Sequence, residues 1–184
     1  MKEEVVAAGF GGQGILLLGE IIARAAMLDG RETVCVPAYG PEVRGGFAHS
    51  SVIISDRRIG AITISEPDTL IIMNQTGLEK FLPRLRQGGC LLLNTSLVRA
   101  PELDGSTLIP VEATEMAEEL GNIRVANSIM LGAYVAAKGI LTAEACLKAL
   151  DSGLRGRAKA LAEINKLAFQ KGLAVSLPGH PSSP

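Results

Sequence analysis

The stretch VVAAGFGGQGILLLGEIIARAAML, residues 5–28, decides the fold of this chain. Its first four residues are apolar and uncharged, which is typical of a buried parallel strand. Gly9, Gly11 and Gly14 then satisfy the pattern G-x-G-x-x-G, and residues 15–28 read as a helix that is apolar on nearly all sides. The segment therefore predicts a strand, a glycine loop (residues 9–14) and a helix, in that order.

Alternating strand and helix signals continue along the chain. Further strands are predicted over 33–36 (ended by Pro37), 69–73, 90–94 and 107–111. Further helices are predicted over 76–86, 114–120, 127–138 (begun by a cap at Asn127 or Ser128), after a cap at Thr142, and over 154–168. Strand-like runs at 50–54 and 59–64 predict a hairpin. This order predicts an α/β fold: a three-layer α/β/α sandwich with a mostly parallel, Rossmann-like sheet and an appended hairpin.

Domain organisation and composition exclude several classes of protein. Residues 1–176 are predicted to form one domain, and the Pro/Ser-rich residues 177–184 a flexible tail. A net charge of −1 and 3% aromatic residues argue against nucleic-acid binding. The apolar segments are too short or too glycine-rich for a membrane span, and the N-terminus does not resemble a signal peptide, so we expect a cytoplasmic protein.

Residues with catalytic or metal-binding chemistry are scarce. Cys35, Cys90 and Cys146 stand far apart, and they are too few for an iron–sulfur cluster, so core positions are expected for them. The only histidines are His49 and His180, and no zinc or Walker motif occurs. The sequence therefore predicts neither a catalytic residue nor a metal ligand.

The glycine loop has two interpretations. Its backbone N–H groups and the following helix N-terminus offer a site for a phosphate. Dinucleotide binding, however, also needs an acidic residue at the end of the second strand. The second strand instead ends Val36-Pro37-Ala38, and Glu32 lies at its opposite end. The alternative is that the glycines only allow close packing of strand and helix.

The segment YGPEVRGG, residues 39–46, leaves the carboxyl end of the second strand. Open α/β sheets place their ligand crevices at this edge, so we expect this second loop to lie beside the glycine loop. Tyr39 offers an aromatic face, Arg44 a forked donor and Glu42 an opposite charge. The two loops predict a shared functional surface, for a small molecule or another protein.

Together the two loops resemble the gamma subunit, or the equivalent domain, of 2-oxoacid:ferredoxin oxidoreductases. The resemblance covers residues 5–170 and keeps that family's order and spacing. Its matching segments are GFGGQGILLLGEIIARAA (9–26), YGPEVRGG (39–46), HSSVIISD (49–56) and ANSIMLGA (126–133). The related small subunit of indolepyruvate oxidoreductases, which remains an alternative, varies in the second loop. YGPEVRGG thus favours the 2-oxoglutarate, pyruvate or ketoisovalerate type.

The resemblance implies a complex with alpha and beta subunits that bind thiamine diphosphate and Mg, often with a delta subunit that carries iron–sulfur clusters. Such a complex converts a 2-oxoacid and coenzyme A to an acyl-CoA and CO2 and passes electrons to ferredoxin. This chain is expected to be inactive alone and to bind none of these cofactors by itself.

The resemblance also implies roles for the two loops. One set of residues would receive coenzyme A phosphates or contact a subunit: Gly9, Gly11, Gly12, Gln13 and Gly14. A second set would form a subunit interface: Tyr39, Glu42, Arg44, Gly45 and Gly46. The competing hypothesis is a freestanding Rossmann-like nucleotide-binding enzyme or regulator. The 2-oxoacid is left open by the sequence.

Overall fold

The computed structural model describes residues 1–40, 46–153 and 159–175. Its strands are β1 (Lys2–Phe10), β2 (Glu32–Tyr39), β3 (Phe47–Ser55), β4 (Thr69–Ile72), β5 (Cys90–Asn94) and β6 (Thr107–Val111). Its helices are α1 (Ile15–Leu28), α2 (Gln75–Phe81), α3 (Ala113–Glu119), α4 (Ala126–Lys138), α5 (Ala143–Gly153) and α6 (Lys159–Leu173). Short 3-10 turns follow α2 (Leu82–Arg84) and precede α4 (Ile123–Val125). The predicted tail, residues 177–184, lies outside the described residues.

One six-stranded sheet, in the order β2-β3-β1-β4-β5-β6, organises the described part of the chain. The pairs β1–β4, β4–β5 and β5–β6 are parallel, whereas β3 runs antiparallel to both β1 and β2. Five strands therefore point the same way, as the predicted mostly parallel sheet requires. Their carboxyl ends, together with the start of β3, form a single edge, which we call the carboxyl edge.

The predicted hairpin of residues 50–54 and 59–64 is wrong in its second strand. Residues 50–54 belong to β3, which lies inside the sheet, and residues 59–64 form no strand. The hairpin that does form consists of β2 and β3, paired from Glu32 and Ser55 to Tyr39 and Ala48. Side-chain alternation is the same for an inner and an appended strand, so the pattern alone did not reveal where β3 pairs.

The predicted end of the second strand at Pro37 is also wrong, because β2 continues through Pro37 to Tyr39. Proline lacks the N–H that a sheet ladder uses, and strands tolerate it mainly at sheet edges. Since β2 has a hydrogen-bonded neighbour on one side only, Pro37 costs the sheet little.

Helices cover both faces of the sheet, and the layers are unequal. Val5 and Ala7 of β1 point to the core beneath α1, α3, α4, α5 and α6, whereas Val6 and Ala8 point to a smaller core beneath α2. This alternation follows from the two-residue period of a strand. The predicted three-layer α/β/α sandwich is confirmed.

Helix α1 has the predicted bounds, and it is apolar because it packs between two layers of the same chain. It packs against the sheet on one side and against α5 on the other, which buries Leu18, Ile21 and Ile22. Arg24 lies on the outside, paired with Glu20 at 2.6 Å and hydrogen-bonded to Ser152 of α5. A helix apolar all round thus reflects burial between two layers.

Helix α4 begins one residue before its predicted caps. Asn127 and Ser128 lie in its first turn, are buried, and do not cap it. Their side chains instead connect elements: Asn127 Nδ2 donates to the Gly14 carbonyl at 3.3 Å, and Ser128 Oγ donates to Asn165 of α6 at 2.7 Å. The predicted cap at Thr142 is confirmed by its 3.1 Å bond from the Ala145 N–H.

Candidate functional site at the carboxyl edge

The glycine loop leaves the start of α1 without a side-chain cap. Gly14 is the residue before the helix, with φ of 73°, and Gly12 has φ of 94°. Both angles lie in the left-handed region that glycine adopts without strain. The first N–H groups of α1 have no partner within the helix and no capping side chain. The loop can therefore offer donors to an anion or to another backbone.

Gln13 fastens this loop to the neighbouring strand. Its Oε1 accepts a hydrogen bond from the Phe10 N–H at 2.7 Å, and its Nε2 donates to the Met73 carbonyl at 3.2 Å. Phe10 ends β1 and Met73 follows β4, so one amide joins two parallel strands at their carboxyl ends. Gln13 shapes the loop through both ends of its side chain.

The predicted meeting of the two loops is visible in their described residues. The Gly11 N–H donates to the Gly46 carbonyl at 2.8 Å, and the Gly40 N–H donates to the Phe47 carbonyl at 2.7 Å. The Tyr39 ring lies against Gly11, where an added Cβ would come within 3.1 Å of Tyr39 Cζ. The two loops thus share one surface. The predicted interface residues Glu42, Arg44 and Gly45 lie outside the described residues.

Two adjoining cavities open beside the glycine loop. The larger, about 260 Å³, has Gly12, Gly14, Asn127 and Arg124 among its lining residues. The smaller, about 140 Å³, has Gly12, Gln13, Leu97, Ile123 and Arg124 among its own. Gly12 and Arg124 are common to both, so the cavities form one crevice around them. Of the predicted site residues, Gly12, Gln13 and Gly14 line it.

The sequence analysis missed Arg124 and Asn127 as residues of this crevice. Asn127 is 3% exposed, and its Oδ1 has no hydrogen-bond partner among the described residues. The ANSIMLGA segment contained Asn127, but its contact with Gly14 depends on how α4 packs. Arg124 belongs to a turn without a recognisable pattern, so no sequence signal marked it.

The histidine and cysteines in the described residues show no catalytic arrangement. His49 packs against Phe81, with ring centroids 5.1 Å apart, and burial together with the charges of Lys80 and Arg84 lowers its pKa. Burial raises the pKa of Cys90 to about 11 and that of Cys146 to about 12. These thiols are therefore protonated at neutral pH. Within residues 1–40, 46–153 and 159–175, no cluster of metal-ligand side chains occurs.

A family model places the chain. Residues 4–175 match the model described as pyruvate ferredoxin/flavodoxin oxidoreductase. The matched residues include both loops and all six strands of the sheet. The chain belongs to this family. The resemblance seen in the sequence is thereby confirmed, and the glycine loop and crevice are features of a pyruvate ferredoxin/flavodoxin oxidoreductase domain.

Similar proteins within the oxidoreductase family include free subunits and longer chains. The chain is 40% identical to 2-oxoglutarate synthase subunit KorC of Methanocaldococcus jannaschii over 182 residues, 96% of this chain and 95% of the relative. It is 43% identical over 129 residues to ketoisovalerate oxidoreductase subunit VorA of Methanothermobacter marburgensis, covering 70% of this chain but only 27% of VorA. The crystal structure of a keto/oxoacid ferredoxin oxidoreductase gamma subunit from Geobacter sulfurreducens superimposes with a TM-score of 0.78. The two chains are 35% identical, and the superposition covers 92% of this chain and 95% of the Geobacter sulfurreducens chain.

Within this oxidoreductase domain, no helix among the described residues is both long and apolar enough to cross a membrane. The second strand ends Ala38-Tyr39, so its own carboxyl end supplies no acid for a ribose. This agrees with the sequence-based argument against dinucleotide binding.

Proposed function

We propose that this chain is the gamma-type subunit of a 2-oxoacid:ferredoxin oxidoreductase complex and that its carboxyl edge faces the partner subunits. The observation that carries the proposal is the junction of the two loops through Gly11, Tyr39 and Gly46, which combines the two most family-specific segments into one surface. The 40% identity to KorC, over 95% of that subunit, supports this assignment.

The chemistry of the complex would reside mainly on the partners. Thiamine diphosphate and Mg belong to alpha and beta subunits in this proposal, and iron–sulfur clusters to a delta subunit or its equivalent. The complex, in the cytoplasm, would convert a 2-oxoacid, coenzyme A and oxidised ferredoxin to an acyl-CoA, CO2 and reduced ferredoxin. Cys90 and Cys146 are buried and belong to no metal-ligand cluster among the described residues, which supports an assignment of electron transfer to other chains.

The glycine loop has two roles compatible with this proposal. Its uncapped N–H groups suit a phosphate of coenzyme A, and the crevice beside it can admit one end of such a ligand. The same groups suit a carbonyl or carboxylate from a neighbouring subunit. In both cases the loop acts by binding and orienting.

Reconstitution tests the proposal directly. The lone chain is expected to fold but to show no 2-oxoacid-dependent dye reduction and no stoichiometric iron. Co-expression with alpha, beta and delta subunits should yield a complex that copurifies with it and reduces ferredoxin in a coenzyme A-dependent reaction. Turnover or bound iron in the lone chain, or failure of the chain to join the complex, would refute the assignment.

Arg44 supplies a sharper variant of the same experiment. A guanidinium in a glycine-rich loop can bind a carboxylate or phosphate through two hydrogen bonds, which an ammonium cannot reproduce. Arg44→Ala is expected to weaken subunit association or coenzyme A binding while leaving the melting temperature of the lone chain unchanged. Arg44→Lys should restore only part of the loss. If subunit association and coenzyme A binding in the Arg44→Ala complex equal those of wild type, Arg44 has no role in either.

A further inference from the structure

The crevice beside the glycine loop has two unlike lobes. The larger lobe, which we call the polar lobe, has three asparagines in its wall: Asn122, Asn127 and Asn165. The smaller lobe, which we call the apolar lobe, has four apolar side chains in its wall: Met73, Leu97, Ile123 and Ala126. Gly12 and Arg124 border both lobes, so the two cavities of about 260 and about 140 Å³ are continuous. Joined, they reach the roughly 300–1,000 Å³ of sites that enclose a small molecule.

The junction of the two lobes suits an anion. In the described part of the chain, no carboxylate lies within 4.0 Å of the Arg124 guanidinium, and no described residue in the wall of either lobe is acidic. The first turn of α1 has neither a side-chain cap nor an acidic residue. Nothing lies within 4 Å of a Cβ added to Gly12, so a ligand can approach the loop backbone closely. A phosphate at the junction would meet the guanidinium and the uncapped N–H groups together.

Asn127 is a second, independent sign of a ligand. Its side chain is 3% exposed in the wall of the polar lobe, and its Nδ2 donates to the Gly14 carbonyl at 3.3 Å. Its Oδ1 finds no hydrogen-bond donor among the described residues. A buried acceptor without a donor is unfavourable, so a ligand gains affinity by bringing one. The polar lobe therefore favours an anionic group with a donor close to it, such as a phosphate beside a sugar hydroxyl.

The carboxyl end of β2 narrows the class of ligand. In Rossmann-type sites an acidic residue there binds the two free hydroxyls of a ribose, whereas an arginine accommodates a ribose that carries a phosphate. Strand β2 ends Ala38-Tyr39, without an acid, and Arg124 borders the crevice. The apolar lobe offers the surface that a flat base requires. The crevice thus has matching groups for each part of a ribose-phosphorylated nucleotide.

We propose that the crevice binds a nucleotide whose ribose carries a phosphate, with that phosphate at Arg124 and the start of α1 and the base in the apolar lobe. Coenzyme A has this group, a 3′-phosphorylated adenosine, at the end opposite its thiol. The inference rests on the proposed function in taking coenzyme A as the ligand. It adds that this chain binds the nucleotide end and leaves the thiol end to the partner subunits.

Calorimetric titration of the lone chain tests this site with matched pairs of ligands. Coenzyme A is compared with dephospho-coenzyme A, and adenosine 3′,5′-bisphosphate with AMP, because the members of each pair differ only in the ribose phosphate. The phosphorylated member should bind at least about tenfold more tightly in both pairs. Phosphopantetheine, which lacks the nucleotide, should not displace adenosine 3′,5′-bisphosphate. Binding of the bisphosphate without binding of coenzyme A would overturn coenzyme A as the ligand and leave a free nucleotide.

Arg124→Gln identifies the residue responsible. The variant should lose the preference, so that coenzyme A and dephospho-coenzyme A bind with equal affinity, and it should melt like wild type because the guanidinium has no carboxylate partner to lose. Arg58→Gln is the matched control: Arg58 is exposed after β3, at the opposite edge of the sheet, and its removal should leave the preference intact.

The outcomes separate this inference from the proposed function, because the lone chain needs no partner for these titrations. A wild-type chain without the preference, or an Arg124→Gln chain that keeps it, overturns the inference, and so does displacement by phosphopantetheine. An active complex assembled from a chain without the preference would overturn the inference alone. A chain that binds coenzyme A as expected but joins no complex would refute only the proposed function.

Discussion

Gly132 of α4 and Gly172 of α6 lie backbone against backbone. A Cβ added to Gly132 would come within 2.9 Å of the Gly172 carbonyl carbon, and one added to Gly172 within 2.8 Å of the Ile129 carbonyl carbon. Gly132 belongs to ANSIMLGA, the segment that also contributes Asn127 to the crevice. The crossing of α4 and α6 therefore sets the position of the helix that forms one wall of the candidate site.

Replacing Gly132 should test this crossing. In an exposed helix, Gly→Ala stabilises by about 0.5–1 kcal/mol, because glycine has more backbone freedom to lose. Gly132→Ala should instead lower the free energy of unfolding by about 1–3 kcal/mol, since the new methyl group meets backbone atoms that cannot rotate away. Urea unfolding measures the difference. Gly60→Ala is the control: nothing lies within 4 Å of its added Cβ, and its stability should be unchanged.

Local patterns in the sequence predicted what is local in the structure. The bounds of α1 and the Thr142 cap depend on residues that are close along the chain, and both predictions are confirmed. The glycine loop begins two residues later than predicted, because β1 continues through Gly9 to Phe10. The place of β3 between β1 and β2 depends on pairing between distant residues, which a two-residue period does not specify. For this reason the strand that pairs with residues 50–54 in the hairpin was predicted wrongly.

The candidate site also has features that the sequence predicted and features that depend on the packing of distant residues. The meeting of the two loops follows from the rule that parallel strands bring their carboxyl ends to one edge, and Gly11 and Gly46 confirm it. Arg124 comes from a turn some 110 residues after the glycine loop, and only the packing of α4 brings it there. Helix α1, which the sequence shows to be apolar on nearly all sides, is largely covered by the sheet and α5.

The Gln13 side chain should control the shape of the glycine loop. Gln13→Ala removes the bonds to the Phe10 N–H and the Met73 carbonyl, and it should lower the free energy of unfolding by about 1 kcal/mol. Hydrogen exchange at the Phe10 amide should accelerate. Gln75→Ala is the control, because Gln75 bonds only to Glu79 on the surface of α2 and should change stability by less than about 0.5 kcal/mol. Equal hydrogen exchange at the Phe10 amide in wild type and in Gln13→Ala would show that the Gln13 side chain does not hold the loop.

Tyr134 carries a hydroxyl group without a partner in the described core. The side chain is 0% exposed, and burial raises its pKa well above the ordinary value, so the hydroxyl stays protonated. A buried polar group without a hydrogen bond costs about 1–3 kcal/mol. Tyr134→Phe should therefore raise the free energy of unfolding, by about 1 kcal/mol, in a chemical denaturation experiment.

The chain's other tyrosine provides the comparison for this substitution. Tyr39 is 59% exposed, so Tyr39→Phe should leave the free energy of unfolding unchanged within about 0.5 kcal/mol. A loss of stability in Tyr134→Phe would show that the hydroxyl is bonded, for example to an enclosed water molecule, and would reject the prediction.

Glu3 should make the stability of the chain depend on pH. Its carboxylate is 5% exposed at the amino end of β1, where it accepts a 2.6 Å hydrogen bond from Thr69 Oγ1 and lies 3.3 Å from Lys138 Nζ. Burial raises the pKa of Glu3, and the bond from Thr69 and the charge of Lys138 offset this only in part. The folded chain therefore holds the proton more tightly than the unfolded chain does.

The raised pKa of Glu3 determines the direction in which stability changes with pH. Because the folded pKa exceeds the unfolded value of about 4.5, the contribution of Glu3 to stability is fully present below that pH and is lost as the pH rises through the folded pKa. Glu3→Gln removes the titration, so the stability of wild type minus that of the variant should fall as pH rises above about 4.5. Urea unfolding of both proteins between about pH 4 and 8 measures this difference.

Glu144 supplies a control of opposite sign. It is exposed, and its hydrogen bond from Lys148, at 2.6 Å, lowers its pKa. Its contribution is present above the unfolded pKa and is lost as the pH falls, so the corresponding difference for Glu144→Gln should rise with pH, and only slightly because water screens the pair. A constant offset between wild type and Glu3→Gln across this range would mean that Glu3 has the same pKa in both states. The hydrogen bond from Thr69 and the charge of Lys138 would then offset the burial of the carboxylate in full.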